Sequence, residues 1–268
     1  NDYATTPMIA IDLNDNVHIA YTNSSSVDYR QTKYCNNSGG TWSCINISGI
    51  ATGETYTGQS NPNIAIDTNN KVHITQSAST NKYRYCNNTA GVWSCSNISW
   101  LGLPLSGPIS IDSNNLIRMS YINGSMLHYC NNSGGTWSCI PLPEYNYTNT
   151  GNEATAIAID SKNITHISAG GNSNLTYCNN SGGTWSCIRL KDGRSPRQVS
   201  LEIDKNDKIH LVGININENR LIYYTNIRGT WENLNLTDLP STDTSGTNLD
   251  RIAIKKGLLA NSTKFSDN

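Results

Sequence analysis

Eight cysteines carry the clearest chemistry in this chain of 268 residues. They fall into four pairs with one nine-residue spacing: Cys35 and Cys44, Cys86 and Cys95, Cys130 and Cys139, Cys178 and Cys187. Thiols so spaced can close a disulfide across a hairpin or supply half of a zinc site, and a zinc site needs four thiolates at one point. A second excess is of Asn-x-Ser/Thr acceptors for N-linked glycans, thirteen in all: Asn23, Asn36, Asn46, Asn87, Asn97, Asn123, Asn131, Asn146, Asn163, Asn174, Asn179, Asn235 and Asn261. A third is a recurring imidazole. His18, His73, His166 and His210 each lie six residues after an aspartate (Asp12, Asp67, Asp160, Asp204), with Arg118 in that place after Asp112. A ring of histidines invites a metal, but side chains on separate repeats point in different directions, and the reading taken here is structural packing. The run Asp12 to Asn16 is as oxygen-rich as a calcium loop. Later copies lose the alternation and no glutamate follows at the needed distance, so it reads as an Asx-type turn.

Other chemistry is thin. Glutamate is scarce (Glu54, Glu144, Glu153, Glu202, Glu218, Glu232), and no Gly-x-Ser-x-Gly, P-loop or zinc motif occurs. Nineteen Lys and Arg against 20 Asp and Glu, without a basic block, exclude nucleic acid and anionic membranes as partners. No apolar run approaches the roughly 18 residues of a membrane span, and no basic-then-apolar stretch stands at Asn1, so a signal peptide, if there was one, is expected to be already gone. The solubilising surface is amide and hydroxyl: 38 Asn, 30 Ser and 26 Thr. Six Trp, 14 Tyr and many short Ile/Val runs argue that so polar a chain still packs a core.

The elements that position these residues are repeats. IAIDLNDNVHIAY at Ile9 returns as IAIDTNNKVHI at Ile64, ISIDSNNLIRMSY at Ile109, IAIDSKNITHI at Ile157 and LEIDKNDKIHL at Leu201, with a shortened IAIKKGLLA at Ile252. YCNNSGGTWSC at Tyr34 returns from Tyr85, Tyr129 and Tyr177, and a fifth copy, YTNIRGTWEN, is read from Tyr224 as one residue shorter and without cysteines. The recurring aspartates are 55, 45, 48 and 44 residues apart, and the recurring tryptophans (Trp42, Trp93, Trp137, Trp185, Trp231) 51, 44, 48 and 46. Each period holds two hairpins, hence four strands. Four-stranded units repeated five or six times make an all-β fold, a β-propeller of about six blades: five clear repeats and a partial sixth. One domain is expected over 1–268, with repeats near 7–48, 62–99, 107–142, 154–190, 198–236 and 250–268. The segment Asn1 to Thr6 is expected to supply an outer strand to the last blade; a longer parent chain, cut after Asn268, is the alternative.

The second motif resembles the Asp-box of sialidase-like (BNR) propellers, Ser-x-Asp-x-Gly-x-x-Trp, with Cys35, Asn37, Gly39 and Trp42 at its places. The resemblance implies that this motif is the turn between the third and fourth strands of a blade, on the rim away from the ligand face. It identifies a blade and not an activity. Glycosidases on such propellers need a carboxylate pair or a Tyr nucleophile, and for sialic acids several arginines on the axis. Here only Arg118 sits at a repeated central position and no Arg-Ile-Pro element is present, so no catalytic residue and no metal or cofactor site is assigned, and catalysis is not expected.

On repeats kept apart around an axis, the cysteine pairs read as four disulfides, each across an outer hairpin, in an oxidising compartment. Asn36, Asn87, Asn131 and Asn179 take one position in four blades, and Asn46, Asn97 and Asn235 lie four residues after the tryptophan. Covalent N-glycans are therefore expected on the wall and both rims. The loops joining blades carry Tyr56, Trp100, Tyr145, Tyr147, Arg194 and Arg197, a candidate face for a ligand or partner. Sequons at Asn23, Asn123, Asn146 and Asn174 crowd that face. The expectation is a secreted or cell-surface glycoprotein, a structural or interaction subunit of a surface layer, sheath or filament, partnered by itself or other surface proteins. A carbohydrate-binding or adhesive module is the alternative, and a sialidase-like hydrolase the remote one.

Overall fold

The computed structural model describes residues 3–26, 29–47, 61–77, 83–98, 107–123, 125–143, 154–171, 175–190, 196–215 and 220–238. All regular structure among them is β, in five antiparallel sheets of four strands. The first blade is β1 (Tyr3–Ile11), β2 (Val17–Ser26), β3 (Tyr29–Asn36) and β4 (Ser43–Asn46). The second is β5 (Asn63–Ile66), β6 (Val72–Ser77), β7 (Tyr83–Asn87) and β8 (Ser94–Ile98), and the third β9 (Ile109–Ile111), β10 (Ile117–Asn123), β11 (Met126–Asn131) and β12 (Ser138–Pro141). The fourth is β13 (Ala154–Ile159), β14 (Thr165–Gly170), β15 (Leu175–Asn179) and β16 (Ser186–Leu190). The fifth is β17 (Pro196–Ile203), β18 (Ile209–Asn215), β19 (Arg220–Thr225) and β20 (Glu232–Asp238). Each sheet is a meander in chain order, and the first strands of successive blades touch one another, which makes them the inner strands. This is the expected propeller architecture.

Local chemistry accounts for the two turns at one end of every blade. In the first, the Asp12 Oδ1 accepts the backbone N–H of Asn14 and Asn16 at 2.9 and 2.8 Å, and the chain reverses through a left-handed residue. That residue is Asp15, Asn70, Asn115, Asn163 or Asp207, with φ between 56° and 63°. Asn and Asp tolerate this conformation better than other side chains. In the second, the turn closes from a glycine N–H to the asparagine carbonyl three residues earlier, as in Gly40 to Asn37 at 2.9 Å, with φ of 74° to 85° at Gly40, Gly91, Gly135, Gly183 and Gly229. Only this second glycine is constrained, and the sequence has Ala90 and Arg228 at the preceding place.

Blades pack face to face. Ala20, Tyr34 and Ile47 of the first blade meet Ile64, Val72, Ile74 and Cys86 of the second in one buried cluster. The same arrangement joins the second to the third, the third to the fourth and the fourth to the fifth. Two faces are left uncovered among the described residues. On the first blade Ile9, Ile11 and Trp42 are 57, 62 and 56% exposed, whereas Ile64, at the place of Ile9, is 3% exposed. On the fifth, Leu236 is 46% exposed where Ile47, Ile98, Leu142 and Leu190 are buried. These faces flank the place of a sixth blade. The repeat at 250–268 lies outside the described residues.

Two expectations are corrected. Residues 3 to 6 belong to the first blade: β2 runs on to Ser26 and pairs with Tyr3, Ala4 and Thr5, so that part of the N-terminal segment is an inner strand of blade one and not an outer strand of the last. The fifth copy of the second motif is full length and starts at Tyr223. Tyr223 pairs with Val212 as Tyr34 pairs with Ala20, and Tyr224 takes the place of the first cysteine, opposite Asn233. Two adjacent tyrosines made the shorter alignment look right.

Gly134 and Gly135 both have open space where a Cβ would sit, and only Gly135 has positive φ. Gly135→Ala should therefore lower the unfolding free energy by about 1–2 kcal/mol through backbone strain, with Gly134→Ala within about 0.5 kcal/mol of wild type. Denaturant unfolding of the two variants checks this, and equal effects would contradict the turn assignment.

Candidate functional site

The residues most able to do chemistry are brought together by the turns, once per blade. The recurring aspartate ends the inner strand, the histidine opens the second strand, and the tyrosine stands on the third. His18 Nδ1 is 2.6 Å from the Tyr34 hydroxyl and its Nε2 is 3.3 Å from Asp12 Oδ2. His73 repeats this with Tyr85 at 2.6 Å and Asp67 at 3.3 Å, His166 with Tyr177 at 2.5 Å and Asp160 at 3.4 Å, and His210 with Tyr223 at 2.6 Å and Asp204 at 3.5 Å. The tyrosine then meets the tryptophan of the next blade. Tyr34 and Trp93 have ring centroids 5.0 Å apart, Tyr85 and Trp137 5.4 Å, Tyr129 and Trp185 4.7 Å, Tyr177 and Trp231 4.7 Å. In the third blade Arg118 replaces the histidine. It donates to Asp112 and, across to the fourth blade, to Thr165 Oγ1 and the Asn163 carbonyl.

Burial and hydrogen bonding set the charge states. Burial opposes ionisation of Asp12, but donors from Asn16, His18 and Asn14 outweigh it and hold its pKa at about 2. Burial lowers the pKa of His73 and His166 against the opposing pull of Asp67 and Asp160. Burial also pushes Tyr34 up to about 12 and raises Tyr85 and Tyr177. These shifts favour the carboxylate of Asp12, the neutral imidazoles of His73 and His166 and the neutral phenols of Tyr34, Tyr85 and Tyr177.

A second set of contacts ties neighbouring turns together, and the sequence reading missed it. The left-handed Asn or Asp of the second to fifth blades accepts from the blade before it. Asn70 Oδ1 accepts from Leu13 N at 2.9 Å, and Asn115 from Thr68 N and Oγ1 at 2.9 and 2.8 Å. Asn163 accepts from Ser113 N and Oγ at 3.1 and 3.0 Å, and Asp207 from Ser161 N and Oγ at 2.9 and 2.7 Å. A signal was present: Asn or Asp always fills the fourth place of the turn, and Ser or Thr the second in three of five copies.

A cavity of about 270 Å³ opens at the turn end of the inner strands, lined by Asp112, Asp160, Asp204, Ser113, Ser161 and Lys205 among others. Its aspartates are already spent: their Oδ1 atoms accept backbone N–H groups two and four residues on, and their Oδ2 atoms face Arg118, His166 and His210. Among the described residues no three His, Cys, Asp or Glu side chains gather as metal ligands.

The cysteines stand opposite one another in register and form the four expected disulfides, Cys35–Cys44, Cys86–Cys95, Cys130–Cys139 and Cys178–Cys187. No helix among the described residues is long and apolar enough to cross a membrane. Of the sequon asparagines, Asn46, Asn97 and Asn235 are exposed on outer strands, and Asn36, Asn87, Asn131 and Asn179 are half-exposed at the last position of the third strand, where the hairpin turn begins. Asn123 is half-buried, Asn23 is buried at 7% exposure, and Asn163 is engaged with Ser113. Asn146, Asn174 and Asn261 lie outside the described residues, as do Tyr56, Trp100, Tyr145, Tyr147 and Arg194; Arg197 lies in β17 with its side chain outside them.

No family model and no curated protein matches the chain. Solved structures do. The SapL1 lectin in complex with α-methyl fucoside superposes with a TM-score of 0.60 at 13% identity, covering 88% of this chain and 83% of that one. The Hadza microbial sialidase Hz136 gives 0.58 at 13% identity over 88% of this chain and 59% of its own. An α-L-arabinofuranosidase from Fusarium graminearum in complex with an iminosugar inhibitor gives 0.56 at 12%, covering 88% and 82%. The shared property is the β-propeller fold.

The charge states predict a stability plateau. A histidine whose pKa is depressed by folding binds fewer protons folded than unfolded, so its contribution is full above about 6.5 and is lost as pH falls below that. A tyrosine whose pKa is raised contributes fully below about 10 and loses that contribution as pH rises through it. Denaturant midpoints should be flat between about pH 7 and 9 and fall on both sides. A midpoint unchanged down to pH 4 would contradict the buried neutral imidazoles.

Proposed function

We propose that the chain is an extracellular, N-glycosylated propeller that acts as a structural and interaction subunit of a surface layer, sheath or filament, without catalysis. One observation carries the reading: the repeated Asp, His, Tyr and Asn groups are consumed in bonds within and between blades. The groups presented outward at repeated positions are sequon amides and aliphatic side chains such as Ile45, Ile140 and Ile188. Four disulfides suit an oxidising, non-cytoplasmic compartment. Glycans on Asn46, Asn97 and Asn235 would coat the outer wall, and self-association would use what they leave bare.

A carbohydrate-binding propeller is the second reading. The fucoside-bound lectin and the glycosidases among the structural neighbours favour it. Fold likeness at such identities leaves the site to be found. Sedimentation of the purified, glycosylated chain together with a glycan array separates the two. Large self-assembled species without saturable glycan binding are expected; a monomer that binds fucosides or other glycans saturably would overturn the structural reading in favour of the lectin.

A further inference from the structure

Four sequons occupy an unusual place. Asn36, Asn87, Asn131 and Asn179 each directly follow the first cysteine of a disulfide and lie inside its ring. In every one the sequon hydroxyl is turned back on its own asparagine: Ser38, Thr89, Ser133 and Ser181 donate to the asparagine Oδ1 at 2.5, 2.6, 2.6 and 2.7 Å. The backbone N–H of the same residue donates to that oxygen at 3.0 to 3.1 Å. The middle residue is tied as well. Asn37, Asn88, Asn132 and Asn180 accept the backbone N–H of Val17, Val72, Ile117 and Thr165 at 2.7, 2.7, 2.9 and 2.8 Å. The glycine N–H then closes the turn. The other sequons differ: Asn46, Asn97 and Asn235 are exposed, on the edge strands of their sheets and outside the disulfide ring. Two of them bond other side chains, Asn46 Nδ2 donating to Gln31 Oε1 at 2.7 Å and Asn97 Oδ1 accepting from Arg84 Nε at 3.2 Å.

We infer that the four hairpin asparagines accept glycans only while their cysteines are unpaired, so that disulfide closure ends their modification, whereas the strand asparagines stay competent after folding. This rests on the glycoprotein reading above. Transfer forms a bond between the asparagine Nδ2 and the sugar C1. The C1–O bond to a polyprenyl-phosphate carrier breaks with its electron pair leaving on the phosphate, and the amide proton is lost to a base. An enzyme that reads the asparagine and the hydroxyl two residues on must take both from outside. In the closed hairpin the hydroxyl is spent on the asparagine, and freeing it means opening a turn that the clamp and the disulfide both hold shut.

The test uses the full chain made without glycans, a single-subunit oligosaccharyltransferase and a lipid-linked oligosaccharide, with occupancy of each site read by mass spectrometry. Modification at Asn36, Asn87, Asn131 and Asn179 should be about tenfold or more slower in the oxidised, folded chain than after reduction and alkylation, with Asn46, Asn97 and Asn235 changing far less. A variant adds an internal comparison: T225N/I227S puts the hairpin sequon into the fifth blade, which has no cysteine pair, and in the oxidised chain position 225 should be modified faster than the four natural hairpins, whereas modification as slow as theirs would overturn the role given to the disulfide. Equal rates at the hairpin sites in oxidised and reduced chains, or modification at neither, would overturn the inference. A native protein free of glycans would instead sink the glycoprotein reading and leave the ordering measured in vitro standing.

Discussion

Burial of each blade's two faces against its neighbours is the constraint on which the rest of the molecule depends. A four-stranded meander of short strands has no interior of its own, so its apolar residues are satisfied only by the next blade. Ile64, Ile74 and Cys86 are buried because Tyr34 and Ile47 lie over them, whereas Ile9, Ile11 and Trp42, on the corresponding face of the first blade, are exposed among the described residues. Polar contacts follow the same geometry. In the first, second and fourth blades an Asp–His–Tyr unit holds the tyrosine against which the following tryptophan lies, and the Asn or Asp at the left-handed position reaches back to the preceding turn. Buried histidines and aspartates are tolerable where the unit supplies its own partners, as Asp67 and Tyr85 do for His73 and Asp160 and Tyr177 do for His166.

Much of this was legible in the sequence, because repetition exposes which residues are interchangeable. Alternation around Ile-Ala-Ile-Asp marks an inner strand and its turn, and nine-residue cysteine spacing in four copies leaves one economical pairing, which the structure has. What self-comparison cannot supply is the relation between copies. It aligns Asn115 with Asn163 but does not say that Asn163 bonds Ser113 of the blade before it. It also fails where neighbours are alike: Tyr223 and Tyr224 offered two registers, and only the pairing with Val212 and Leu211 decides between them. The N-terminal strand was misplaced for a similar reason, since Tyr3 to Thr6 carry no motif and their partner is the unremarkable end of β2.

The repeated residues that looked most like a site are thus the fold's own fastenings. A carboxylate, an imidazole and a phenol within hydrogen-bond reach would suggest proton transfer in a cleft. Here they lie against one another and recur once in each of four blades, which is how a structural motif behaves, and the turn-end cavity has aspartates already committed to backbone N–H groups. The sugar-binding and sugar-cleaving neighbours share this scaffold, and what distinguishes a lectin from a coat subunit on one scaffold is what the wall and the blade-joining face present to the outside.

The most direct test of the central claim is electron microscopy of the native, unreduced protein at a resolution that shows side chains and the first sugars. The account predicts propellers in contact with further copies of themselves, glycan density on Asn46, Asn97 and Asn235, and none on the buried Asn23. Discrete single propellers with a bare wall and a ligand seated among the blade-joining loops would contradict it.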